Sequence, residues 1–206
     1  MTKSKNPPPL LDCLDDLPGS FDYAWRMLVN GARNRRSPFH TPTVATIDQS
    51  GMPQIRTVVL RDANAQEAWL RFNTDKRSQK LEEIARHHEG AMHFYDADEK
   101  IQLRVVCQFR RATEEECDAI WEKTPSMSRE CYQVTQAPGT IISDPLDTSF
   151  DRDDDGEGRA NFQPVFAQVH SIEWLYLAAS GHRRALFKIN NIDAQQYSVD
   201  MQWLVP

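Results

Sequence analysis

The sequence predicts an α+β protein in which antiparallel strands dominate and form a closed or split β-barrel with peripheral helices. Three observations carry that prediction. Apolar residues alternate with period two in short runs joined by polar turns, the pattern of sequential hairpins. Helical periodicity interrupts the strands only a few times, where a doubly wound sheet would need a helix after each strand. About seven strand-like runs are present, enough to close or nearly close a barrel.

The elements follow in chain order. Ser20 can cap a first helix, FDYAWRMLVNGARN, with Phe21, Ala24, Trp25, Leu28, Val29 and Ala32 as its apolar stripe. Val44 and Ile47 mark a short strand, DQSG turns the chain, and IRTVVLR is rich in β-branched residues. EAWLRFN reads as a further strand. QKLEEIARHH reads as a short helix with Leu81, Ile84 and Ala85 inward, Ser78 as N-cap, and Glu82 and Glu83 in its early turns. GAMHFYDADEKIQLRVVCQFRRA reads as a hairpin turned by its acidic tetrapeptide. EEECDAIWEKT and SRECYQVTQ are helical, broken at Pro125. Residues 140–160 are rich in Asp, Gly, Ser and Pro and are expected to form a mobile acidic loop. VFAQVHSIEWLYLA, RALFKI and YSVDMQWLVP supply the closing strands.

Composition bounds the function. The 206 residues suit one domain, expected at 19–206 behind a flexible tail at 1–18 stiffened by Pro7, Pro8 and Pro9. A formal net charge of -6 gives no global attraction to nucleic acid or to an anionic membrane, so any basic cluster must act locally. No apolar run reaches the length of a membrane span. The four cysteines have no CxxC spacing and are expected to be reduced thiols of a cytoplasmic protein.

Three stretches carry chemistry. In FNTDKRSQK, Arg77, Ser78 and Lys80 precede a helix start, where free N–H groups and a partial positive charge favour a phosphate. A solvated cationic turn is the competing reading. In IRTVVLRD, period two places Arg56, Val58 and Leu60 on one face and Thr57, Val59 and Arg61 on the other. A cation among inward residues needs a partner, either an Asp or Glu or a ligand phosphate. WLYLAASGHRRALF joins Trp174 to the basic tip His182, Arg183 and Arg184 between two apolar strands. Metal sites are not expected. DRDDDGEG starts like a calcium loop, but its twelfth position is Phe162 rather than Glu, and His87 and His88 are adjacent rather than i, i+4.

Together these pieces resemble the pyridoxamine 5'-phosphate oxidase family of FMN-binding split barrels, in the oxidase-like branch with a TDxRSxK pattern. The resemblance runs through ATIDQSGMPQIRTVVLRD, FNTDKRSQKLEEI, IQLRV, Asn161–Phe162, WLYL, GHRRALF and the final Trp203 and Pro206. It implies an FMN-dependent oxidoreductase acting on a small-molecule substrate, and a homodimer with FMN at the subunit interface. Arg56, Arg77, Ser78 and Lys80 would hold the FMN phosphate. The backbone at Thr57, Val58 and Val59 would run along the ring, with Gln102, Gln136 and Trp174 as further flavin contacts. Arg61, Arg183 and Arg184 would orient the substrate.

The departures concern the substrate end. The oxidases carry a lysine at Arg61, and a tyrosine and an arginine at Ile120 and Thr124, with Ser128 kept. Leu186 replaces a flavin-contacting arginine and Arg184 a substrate-contacting histidine. A true pyridoxamine or pyridoxine 5'-phosphate oxidase, a non-catalytic flavin-binding module, and a split barrel holding haem or a deazaflavin are the alternatives.

Overall fold

The structure, a computed structural model, describes residues 13–149, 155–179, 181–190 and 197–206. The chain runs α1 (Leu17–Arg33), β1 (Thr43–Ile47), β2 (Pro53–Thr57), β3 (Leu60–Asn64), β4 (Trp69–Asp75), α2 (Gln79–Arg86), β5 (Glu89–Asp96) and β6 (Ile101–Arg111). It continues through α3 (Glu114–Glu122), α4 (Ser126–Arg129), α5 (Asp155–Asn161), β7 (Phe162–Tyr176), β8 (Arg183–Asn190) and β9 (Ser198–Leu204).

The strands form one antiparallel sheet in the order β2-β1-β5-β6-β7-β4-β3, with β8 and β9 branching from β7. The branch follows from the length of β7. Residues 162–168 pair with β4, residues 171–176 pair with β8, and β6 runs along both halves through a bulge at Val106/Cys107. The two ends of the main path, β2 and β3, are consecutive in sequence. The barrel is therefore split between them, and residues 57–60 cross the split. Val58 is fixed in that crossing by its N–H, which donates to the Pro42 carbonyl at 2.9 Å.

This corrects the reading of IRTVVLR as a single strand with period-two faces. The run divides into β2 and β3, with Val58 and Val59 between them. That division helps to raise the strand count among the described residues to nine. The first helix begins at Leu17, not after Ser20. Asp16 is its N-cap, accepting from the Gly19 N–H at 2.7 Å, and Pro18 lies in its first turn, where the missing N–H costs nothing. Ser20 is buried inside the helix and donates to the Cys13 carbonyl at 2.6 Å. Cys13 and Leu14 are buried too, so packing extends into the stretch expected to be a tail. At the other loop, residues 150–154 lie outside the described residues, and 155–161 form α5 instead of acidic coil.

The core lies between the inward face of the sheet and α1. Leu70, Phe72, Phe94, Leu103, Val105, Phe109, Ile172 and Phe187 are all 1% exposed or less. Phe21 of α1 meets Phe187 of β8 at 5.2 Å between ring centroids. At about 25 cal/mol per Å² of apolar surface, side chains of this size contribute roughly 1.5–3 kcal/mol each when buried. No described helix is long and apolar enough to cross a membrane.

Candidate functional site

The start of α2 builds a cationic cradle. The Leu81 N–H donates to the Ser78 carbonyl at 2.9 Å, which leaves the N–H groups of Gln79 and Lys80 at the helix start, and the Ser78 side chain, at the N-cap position, caps none of them. The Ser78 hydroxyl instead accepts from Lys80 Nζ at 2.5 Å, which leaves its own proton to donate. Lys80 Nζ also donates to Thr74 Oγ1 at 2.9 Å, and among the described residues it pairs with no carboxylate. Burial, and then the nearby Arg56 charge, hold Lys80 below its ordinary pKa, while Asp75 and Glu83 oppose them. Two cations close enough to repel, beside an uncapped helix start and a buried hydroxyl, are arranged for an anion.

Arg56 reaches the cradle from β2 and does have a protein partner. Its Nη2 lies 2.8 Å from Glu83 Oε2, and the Glu83 side chain is 2% exposed. Arg56 Nη1 donates to Thr46 Oγ1 and to the Gln54 carbonyl, and Thr46 donates to Glu83 at 2.5 Å. Leu81 and Ile84 are inward as expected, but Glu83 is inward and Ala85 exposed, the reverse of the expectation for those two. The reversal follows from the ion pair: a carboxylate can be buried once Arg56 and Thr46 satisfy it.

Arg77 is not an open anion ligand. Its Nε and Nη2 donate to the two Asp75 oxygens at 3.0 and 2.8 Å. Its Nη1 donates to the Thr135 carbonyl and its Nη2 also to the Val134 carbonyl, both at 2.9 Å. The residue is a strut between the turn before α2 and the base of the loop at 134–149. Gln136 belongs to that loop base: its amide donates to the Asp147 carbonyl and accepts from Thr135 and Ser149. Both expected flavin ligands are thus committed to protein partners.

The other expected residues separate into two groups. Thr57, Val58 and Val59 lie together on the crossing of the split, exposed or half-buried. Gln102 lies half-buried on the outward face of β6, in register with Tyr95 and Leu175, and Arg184 follows in the same row. Trp174 points the other way. It is fully buried, stacked on Tyr176 and edge-on to Trp203, so in this protomer it packs the core and presents no face to a ligand. Arg183 pairs with Asp15 at 2.7 Å, and Arg184 pairs with Glu173 at 3.0 Å.

Arg61 belongs to a separate cleft of about 570 Å³ between β3, β4 and the helices α3 and α4. The structure brings Ile120, Thr124 and Ser128 to the same cleft. It also brings Arg71, which the sequence reading missed: an arginine in EAWLRFN looks like the outward member of a strand. Its Nη1 donates to Asn73 at 2.9 Å and its Nη2 to Asp62 at 3.3 Å. Burial holds the Arg71 guanidinium below its ordinary pKa, with Asp62 opposing.

Comparisons with known proteins converge on one family. Residues 22–112 match the family model described as pyridoxamine 5'-phosphate oxidase, FMN-binding domain. That segment includes Arg56, Ser78, Lys80 and Gln102 and ends before α3. A pyridoxine/pyridoxamine 5'-phosphate oxidase of Burkholderia mallei is 34% identical over 90 residues, which are 44% of this chain and 41% of that protein. The corresponding protein of Burkholderia thailandensis is 32% identical over 90 residues, with the same coverage of each chain. The match thus spans about two-fifths of these relatives' length. Among solved structures, a pyridoxamine 5'-phosphate oxidase-related, FMN-binding protein of Nostoc punctiforme superposes with a TM-score of 0.71 at 21% identity, over 90% of this chain and 96% of that one. PhzG of Burkholderia lata, in complex with tetrahydrophenazine-1-carboxylic acid, superposes with a TM-score of 0.67 at 18% identity, over 98% of each chain. These two show the fold.

Proposed function

Because residues 22–112 form an FMN-binding domain of the pyridoxamine 5'-phosphate oxidase family, we propose that the chain is an FMN-dependent oxidoreductase acting on a small anionic molecule. The observation that carries this reading is the cradle. Lys80 and Ser78 stand at an uncapped helix start with Arg56 beside them, a donor set that fits a phosphate monoester. Arg56, Ser78 and Lys80 would hold the FMN phosphate, with Thr74 orienting Lys80. Bound there, FMN would supply two-electron redox chemistry. The chain contributes binding, orientation and exclusion of water. The crossing at Thr57, Val58 and Val59 gives an extended edge next to Arg56 for the flavin ring. Arg61 stands beyond it in the cleft and would orient the substrate's anionic group.

The outward face of the sheet favours a homodimer. Ile55, Ala45, Ala91 and Val106 form a cross-strand row, with Ile55 72% and Val106 50% exposed. An apolar row of this kind is expected to be covered by a second copy. Gln102 and Arg184 share that face, so they would reach a flavin at the interface. A cytoplasmic location accompanies the reading. A true pyridoxamine 5'-phosphate oxidase is the second reading, favoured by the curated relatives and by Ser128 in the cleft. Against it, Ile120 and Thr124 offer no charge for a substrate phosphate.

The test is an absorbance spectrum of the purified protein with mass spectrometry of the released cofactor, followed by incubation with pyridoxamine 5'-phosphate. A yellow protein that releases FMN and forms no pyridoxal phosphate supports the reading. A colourless protein that cannot be loaded with FMN overturns it. Rapid pyridoxal phosphate formation replaces it with the second reading.

A further inference from the structure

The cleft has more cationic than anionic side chains. Six arginines and lysines line it against three carboxylates. Two of the carboxylates are already paired, Asp62 with Arg71 at 3.3 Å and Glu116 with Arg110 at 2.8 Å. The third, Glu67, accepts from the Trp69 indole N–H at 2.7 Å. Arg61 pairs with none of them, and it lies close enough to Arg71 for the two charges to repel. The Asp62 contact is long for a charge-assisted bond, which ordinarily closes to about 2.7–2.9 Å. The Arg71 Nε–H has no acceptor among the described residues. The Arg71 side chain is only 13% exposed, and Asn73 holds it in place from the same face of β4. Part of the wall is apolar: Trp69 meets Phe166 edge-on at 5.2 Å, beside Ile120 and Pro125, and the Arg110 guanidinium lies over the Phe166 ring, 4.1 Å from its centroid.

We propose that Arg71 determines the specificity of this cleft and, together with Arg61, clamps the carboxylate of a planar aromatic acid. Guanidinium forks match a two-oxygen planar anion, and Trp69, Ile120 and Pro125 offer apolar surface to a flat body. A planar carboxylate offers both oxygens in the plane of the fork, and a phosphate is the comparison that tests the preference. The Arg71 position also places a desolvated charge where one anionic group completes its hydrogen bonds. That the bound acid is the oxidoreductase substrate rests on the function proposed above; the binding itself does not.

The test uses the full-length protein as purified, titrated calorimetrically with 1-naphthoate, 1-naphthamide and 1-naphthyl phosphate. The wild type is expected to bind the carboxylate at least tenfold more tightly than the amide and more tightly than the phosphate. Arg71→Met should weaken the carboxylate at least tenfold and leave the amide unchanged. Arg71→Lys, which keeps the charge and loses the fork, should weaken it severalfold, and it decides the matter if the Met variant does not fold. The clamp is overturned if amide and carboxylate bind equally, if the phosphate binds more tightly, if no probe binds, or if both folded variants match the wild type. FMN affinity, measured in parallel, should be the same in wild type and variants. Absence of FMN binding in the wild type would remove the proposed function and leave the clamp to be judged by the probes.

Discussion

Replacing Glu83 by Gln should destabilise the protein and at the same time tighten FMN. The side chain is 2% exposed, and one oxygen receives both Thr46 at 2.5 Å and Arg56 at 2.8 Å. Gln keeps the shape and one acceptor but removes the charge that neutralises Arg56. Breaking a fully buried pair costs about 3–5 kcal/mol. The Arg56 side chain is 24% exposed, so water takes over part of that role. A loss of about 1.5–3 kcal/mol follows, the range for a hydrogen bond to a charged group. In a chain of this size that lowers the melting temperature by roughly 3–12 °C. The freed Arg56 and the missing negative charge should strengthen phosphate binding by on the order of 1 kcal/mol, roughly fivefold. Urea denaturation of the cofactor-free protein reads the first effect, and FMN fluorescence titration at fixed low salt reads the second. Riboflavin, with no phosphate, should show no gain. A variant as stable as the wild type, or one that binds FMN more weakly, would refute the reasoning. The second result would mean that Glu83 aims Arg56 at the ligand instead of competing with it.

Arg77→Ala should release the loop base at 134–149, seen as faster amide hydrogen exchange there with little change in the strands of the core. Unchanged exchange would contradict the strut. The Asp48 carboxyl, which accepts from Ser50, Gln54 and Met52 in the turn after β1, should titrate at about 2 rather than at its ordinary 3.8. Its folded value is depressed, so its contribution to stability is present above pH 3.8 and fades as the pH falls towards 2. Side-chain NMR of the wild type and of Ser50→Ala checks this, and a wild-type midpoint near 3.8 would contradict it. Cys131 is exposed, while Cys13, Cys107 and Cys117 are buried, and burial raises the pKa of both Cys107 and Cys117. Ellman's reagent should therefore show one fast thiol in the native protein, abolished by Cys131→Ser. Two or more fast thiols would show that the core opens.

The barrel class and the position of the cradle were legible because they depend on local signals. Alternation in β5 and β6 fixes their hairpin, and Ser78 ahead of an apolar-periodic run marks the start of α2. Partners distant in sequence were not legible. Nothing near Arg77 says that its guanidinium bonds carbonyls 57 and 58 residues away. Glu83 read as an early-turn acid favoured by the helix dipole, because its partner Arg56 lies 27 residues back on an edge strand. The break of IRTVVLR at Val58 was hidden for a related reason: β-branched residues suit both a strand and an extended crossing. Trp174 marks where the resemblance exceeded the local pattern. Period two along β7 puts it inward with Ile172, and the core claims it.

The central claim is that Lys80, Ser78 and Arg56 form a phosphate site at the start of α2. Its most direct test compares FMN and riboflavin binding to the wild type and to Lys80→Met. One charge-assisted hydrogen bond contributes about 1.5–3 kcal/mol, so FMN should weaken by roughly ten- to a hundredfold. Riboflavin affinity should stay within about twofold, because it has nothing to place in the cradle. Equal losses for the two ligands, or no loss for FMN, would contradict the claim and leave Lys80 as part of a solvated turn.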